Sequence, residues 1–175
     1  MAVVRTVTVG DRPPEIEEWL RLRRERGQDT FDEVWEGVYH VAPAPNRRHG
    51  WLDDQVSRLI GPLAEQAGLY PSGPCNIGVE NDHRVPDHAY FRDASMVTWC
   101  NTAAIVVEIV SPDDETWAKL GFYHRHRVDE VIIADPKART VDILARRSDA
   151  YEPSSASALL GITASDLHAA IRWPD

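Results

Sequence analysis

Residues 105–119 read Ile-Val-Val-Glu-Ile-Val-Ser-Pro-Asp-Asp-Glu-Thr-Trp-Ala-Lys. The run opens apolar and β-branched, the pattern of a strand buried on both faces. One carboxylate, Glu108, is set into it. Ser111-Pro112 ends the strand. Asp113, Asp114 and Glu115 then place acids in the first turn of a helix expected to reach about Arg127. Lys119 follows Glu115 by one turn, on the same face. A lone charge in an apolar strand is costly unless something pairs with it. Two readings stay open. Glu108 pairs with an arginine elsewhere and Glu115–Lys119 is an ordinary surface pair, or the buried acid and the returning amine belong to a metal-and-phosphate site.

On the N-terminal side, Pro13 to Arg26 reads as a helix with Ile16, Trp19, Leu20 and Leu22 on one stripe, closed by Gly27. Its arginines alternate with glutamates, the mark of a solvated face. Phe31 to Ala42 reads as a strand bent at Gly37 into a hairpin, carrying Glu33 and Glu36. Asn46 is an N-cap for a helix from Arg47 to Gly68, with Pro62 marking a kink or an early end. His49 sits in its first turn. Leu69 to Glu80 is extended, Asn81 to Arg84 a polar turn, and Val85 to Phe91 a short strand with Asp87 near its start.

On the C-terminal side, Val128 to Asp135 and Thr140 to Ala145 pair as a hairpin, and a helix from about Ser165 to Arg172 presents Leu167 and Ile171. The order predicts an α/β or α+β fold, a mixed central sheet flanked by helices. Residues 1–30 are expected as a helical segment packed on the core, and residues 31–175 as the main body of a single domain.

The chain has 175 residues, enough for one sizeable core. A hydrophobic fraction of 43% and a net charge of −9 place it among soluble globular chains and speak against broad, sequence-blind attraction to nucleic acid. They leave room for a local basic groove. No apolar run reaches the roughly 18 residues of a membrane helix, and no secretory signal is visible, so no membrane partner and a cytoplasmic setting are expected. Cys75 and Cys100 form neither a disulfide framework nor a metal-finger spacing.

Asp87, Glu108 and Lys119 form the constellation. If the strands carrying Asp87 and Glu108 are neighbours, the two carboxylates face each other across them. A hard cation, Mg2+ or Mn2+, relieves their repulsion, activates water and binds a phosphate oxygen. A nearby ammonium answers the charge developing on the phosphate.

These residues also carry a resemblance. Pro86-Asp87, Glu108 in an apolar strand and then Lys119 are similar to the PD-(D/E)XK nuclease superfamily. More closely, the chain resembles the Uma-two family of restriction-endonuclease-like proteins. The matching blocks run from Glu33-Val-Trp-Glu-Gly37 through Pro45-Asn-Arg-Arg-His49, Val85-Pro-Asp87, Val106-Val-Glu108-Ile-Val-Ser-Pro112 and Glu115-x-x-x-Lys119-x-x-x-Tyr123 to Asp129–Pro136. The resemblance implies a restriction-endonuclease-like core and a metal-dependent DNA endonuclease. Asp87 and Glu108 would be metal ligands and Lys119 the catalytic lysine, with Glu33, His49 and Glu115 in support. The superfamily's usual lysine position, two residues after the acid, is Val110 here, so the amine must come from the following helix. Glu115 stands where the family more often has aspartate. Ser111 and Tyr123 match too, but a strand-ending serine and a core-facing tyrosine account for them.

Arg47, Arg48, Arg125 and Arg127 are the candidates for a DNA-facing surface, each weighed against a solvated helix end. Trp51 and Trp117 are read as core rather than as base-stacking platforms. Cutting two strands makes a homodimer the expected assembly. The alternatives are a catalytically inactive nuclease fold kept as a nucleic-acid or protein interaction module, and a phosphoesterase acting on a small substrate.

Overall fold

The apolar run around Glu108 becomes the middle of a sheet. The computed structural model describes residues 6–111 and 115–174. In chain order its first half holds β1 (Val7–Val9), α1 (Pro14–Glu25), β2 (Glu33–Trp35), β3 (Val38–Val41), α2 (Arg47–Gln66), β4 (Tyr70–Ser72), β5 (Asn76–Val79), β6 (Asp82–Arg84) and β7 (His88–Phe91). The second half holds β8 (Trp99–Cys100), β9 (Ile105–Ile109), a 3-10 turn (Thr116–Lys119), α3 (Leu120–Arg125), β10 (Glu130–Asp135), β11 (Thr140–Arg146), β12 (Tyr151–Ser154) and α4 (Ala164–Ala170).

The strands make two mixed six-stranded sheets, in the orders β1-β3-β2-β6-β5-β8 and β12-β11-β10-β9-β7-β4. This is the expected mixed α+β class, with two sheets in place of one. In the second sheet β9 lies parallel to β10 and antiparallel to β7. The parallel pair needs a crossover, which the 3-10 turn and α3 supply.

All five residues of β9 are buried, and the period of two sorts them between two cores. Ile105, Val107 and Ile109 pack with Leu52, Val56, Ile60 and Ala64 of α2 and Leu167 of α4. Val106 packs on the opposite face with Phe122 and Tyr123 of α3 and Ile77 of β5. Glu108 shares that second face, which puts its carboxylate under α3.

Local choices follow the sequence in most places. Glu36 and Gly37 both have positive φ, 51° and 88°, making the tight hairpin between β2 and β3. Asn46 caps α2 by accepting from the backbone N–H of Arg48 and His49. Thr163 and Asp166 form a capping box on α4, and Leu167 and Ile171 are buried as expected.

Several expectations need correction. Asn81 to Arg84 is no polar turn: the turn is at 80–81 and Asp82–Arg84 is a strand. Arg84 is buried because its guanidinium lies between the rings of Trp35 and Phe122, 4.2 and 4.1 Å from their centroids, and donates to the carbonyl of Val34. Pro62 does not end α2, which continues to Gln66 with Ala64 held in the core. Trp51 and Trp117 are not core; they are 47% and 52% exposed. The inward stripe of α2 is Leu52–Val56–Ile60–Ala64, and Trp51 lies about 100° around the helix from Leu52. The stripe of α1 buries only Leu20. The helix start assigned to Asp113 and Asp114 lies outside the described residues; from Thr116 the chain makes a 3-10 turn before α3.

Candidate active site

The pairing of β7 with β9 sets the first relationship. His88 lies opposite Val107, Ala89 opposite Val106 and Tyr90 opposite Ile105. One step further in the same register, Asp87 faces Glu108. Asp87 Oδ2 accepts from the backbone N–H of Ile109 at 2.7 Å, fixing the carboxylate against the end of β9.

His49 holds its other oxygen. The cap at Asn46 fixes the first turn of α2, and His49 Nε2 lies 2.9 Å from Asp87 Oδ1. Its Nδ1 lies 2.9 Å from Ser111 Oγ. A carboxylate only accepts, so Nε2 carries the proton and Nδ1 can accept from the serine hydroxyl.

Among the described residues the Glu108 carboxylate accepts three hydrogen bonds. Lys119 Nζ donates to both carboxylate oxygens at 3.2 Å, and the Tyr123 hydroxyl donates to Oε1 at 2.5 Å. Lys119 also reaches Glu33 Oε1 at 2.9 Å. Glu33 is itself buried, accepting from the Val85 N–H at 2.8 Å and from the Trp35 indole at 2.7 Å. Lys119 therefore ties β2 of one sheet to β9 of the other.

One ammonium faces three carboxylates, Glu33, Asp87 and Glu108. Burial pushes the Glu108 carboxyl up to about 8; Lys119 opposes this, and Asp87 and Glu33 add to it. Burial works against the Lys119 ammonium, but Glu108, Glu33 and Asp87 outweigh it and hold its pKa above the ordinary lysine range. Burial, with Glu108 next, also raises Tyr123, which stays a hydrogen-bond donor. Burial thus favours the protonated form of Glu108, while its carboxylate neighbours keep Lys119 charged.

The cluster brings together Asp87, Glu108, Lys119, Glu33 and His49. Glu115 stands at its edge and does not pair with Lys119. Its Oε2 lies 2.8 Å from His40 Nδ1, and that ring stacks on Trp35 at 4.4 Å. Arg47 and Arg48 are exposed at the start of α2, directly before His49. Arg125 and Arg127 are exposed at the far end of α3, with Arg125 4.0 Å from Glu36. Ser111 and Tyr123, read as structural, make hydrogen bonds within the cluster. The spacing Lys119-x-x-x-Tyr123, which puts both on one face, carried that signal for Tyr123. Trp35 and His40 lie in the matching stretch that starts at Glu33, but their spacing does not itself single them out.

Among the described residues no three of His, Cys, Asp and Glu are grouped as a metal cage. Two facing carboxylates suit a hard cation that keeps several waters, as Mg2+ does.

Residues 16–170 match the model of the Uma2 family, described as "Putative restriction endonuclease". Among solved structures the chain is similar to one from Anabaena variabilis ATCC 29413, described as a putative nuclease belonging to DUF820. The TM-score is 0.65 at 16% identity, over 79% of this chain and 90% of that one. At such identity the likeness speaks for the fold alone. No curated protein matches.

Proposed function

The chain belongs to the Uma2 family, and from that membership we propose that it is a Mg2+- or Mn2+-dependent endonuclease that hydrolyses phosphodiester bonds in DNA. The observation that carries this reading is the convergence on one cluster of Asp87, Glu108 and Lys119, the last 3.2 Å from Glu108.

Asp87 and Glu108 would hold the ion, which would supply Lewis acidity to a phosphate oxygen and a lowered pKa to water. The chain's own residues do the rest. Asp87 is held by the Ile109 N–H and by His49, so its carboxylate does not swing. Tyr123 fixes the rotamer of Glu108. Lys119 keeps its charge beside the carboxylates and offers an ammonium to the negative charge growing on the phosphate. Glu33 anchors that ammonium.

The test compares plasmid cleavage with Mg2+ or Mn2+ by wild type, Asp87→Ala and Lys119→Ala, with circular dichroism as the check on folding. Wild type alone should cut. Equal cleavage by all three would place the activity elsewhere.

One observation favours a second reading, a nuclease fold kept as an interaction module. Each oxygen of Asp87 and Glu108 already has a hydrogen-bond partner in the chain. Titration calorimetry with Mn2+ separates the two readings: heat that disappears in Glu108→Gln supports the nuclease, and none at millimolar Mn2+ supports the module.

A further inference from the structure

At the start of α2 lies a pocket of about 440 Å³ lined by Arg47, Arg48, Trp51, Arg172, Trp173 and Pro174. We propose that it is a nucleotide-binding subsite that holds one unpaired base, stacked on Trp51, with the adjoining phosphates on Arg47 and Arg172. The proposal rests on the nuclease reading and adds to it the form of the substrate, a strand that is single or locally opened.

Four observations carry it. First, Trp51 is 47% exposed although α2 is a core helix. Its ring is not loose: Nε1 donates to the Arg172 carbonyl at 3.1 Å. An indole pinned by one edge with much of its surface open is a rigid platform, and base stacking on such a ring is tolerant of sequence.

Second, the cations are concentrated. The chain carries a net charge of −9, yet three arginines line this one pocket. Arg47 and Arg172 are exposed and make no ion pair among the described residues. An anion is the ligand this wall complements.

Third, the wall is fixed. Gln55 donates to the Arg172 carbonyl at 3.0 Å and accepts from the Arg172 N–H at 2.9 Å, so the segment after α4 is strapped to α2. In that segment the Trp173 Nε1–H is buried with no acceptor among the described residues. A phosphate or base oxygen entering the pocket would give it one.

Fourth, the pocket and the centre share the first turns of α2. Arg47 and Arg48 precede His49, whose ring holds Asp87. Trp51 and His49 are two residues apart, about 200° around the helix, so a strand whose base sits on Trp51 reaches that carboxylate by crossing the start of α2, where Arg47 and Arg48 lie. A protein ligand is a poorer match, because a planar platform among guanidiniums offers an acidic peptide nothing for the ring.

The experiment measures binding of a fluorescein-labelled 12-nucleotide single-stranded DNA and of the matched duplex by anisotropy in EDTA. It uses full-length wild type, Trp51→Ala, Trp51→Phe and the double variant Arg47→Ala/Arg172→Ala. Trp51→Ala should weaken single-strand binding by roughly tenfold and duplex binding by less. Trp51→Phe should restore most of the affinity. The double variant should flatten the salt dependence by about two phosphate contacts. Single-strand binding by Trp51→Ala that equals wild type, or no binding by wild type at all, overturns the subsite. Cleavage with Mg2+ is followed in parallel. Binding through Trp51 without cleavage leaves the subsite standing and removes the nuclease reading. Cleavage with binding indifferent to Trp51 removes the subsite alone.

Discussion

Tyr123, one helical turn beyond Lys119, donates its hydroxyl to the same carboxylate, Glu108, that Lys119 holds. Removing that hydroxyl tests whether the carboxylate's orientation matters. Tyr123→Phe keeps the ring in the core and deletes one hydrogen bond. Cleavage in Mg2+ should fall by about tenfold, the scale on which orienting partners of metal ligands act, while oligonucleotide binding in EDTA stays level. Full activity in the variant would mean that Tyr123 is only a core residue.

Glu108 gives a pH prediction. Its carboxyl is pushed up to about 8 by burial. Below that pH an incoming cation must displace a proton, so Mn2+ affinity should rise up to about tenfold per pH unit and level off above 8. In the absence of metal the sign is opposite for stability. The folded chain keeps a proton that the unfolded chain gives up, so the contribution of Glu108 falls as pH rises from the ordinary carboxyl range towards 8. Calorimetric titrations between pH 6 and 9 check the first statement; an affinity that does not change with pH would refute it.

Lys119→Met should lower stability more than a surface lysine change does, by about 3 kcal/mol or more, because it leaves Glu33 and Glu108 buried without their cation. Mg2+ should raise the Tm of this variant more than that of wild type, since a divalent ion replaces the missing charge. Thermal melts with and without Mg2+ decide it; equal shifts would argue against a shared cation at these acids.

Gly78 in β5 has φ of +119°, and a Cβ there would come within 2.3 Å of the Asp82 carbonyl and 2.9 Å of the Phe122 ring. Gly78→Ala should cost at least about 2 kcal/mol, from backbone strain and overpacking together. Urea unfolding measures it. A variant as stable as wild type would mean that β5 can draw away from both β6 and α3 without loss.

Much of the fold was legible because it follows from local rules. The β-branched run of β9, the hairpin of β10 and β11, the turn at Gly37 and the Asn46 cap are each written in a few adjacent residues. The nearness of Asp87, Glu108 and Lys119 follows only on the condition that their strands are neighbours, and from the family resemblance. Lys119 is expected on a helix, but it ends the 3-10 turn before α3. What could not be read depends on distant partners. Arg84 looks like a loop residue until Trp35 and Phe122 close over it. Trp51 looks like core until the stripe of α2 is seen to begin at Leu52. Glu115 looked like the partner of Lys119, but the carboxylates of Glu33 and Glu108 claim the ammonium, and Glu115 turns to His40.

Glu33 and Glu108 grip one ammonium from opposite sheets. A chain that has assembled only the sheet of β9 therefore holds Lys119 by Glu108 without its anchor, Glu33. The proposed cleavage should reach its full rate only once the two sheets are joined.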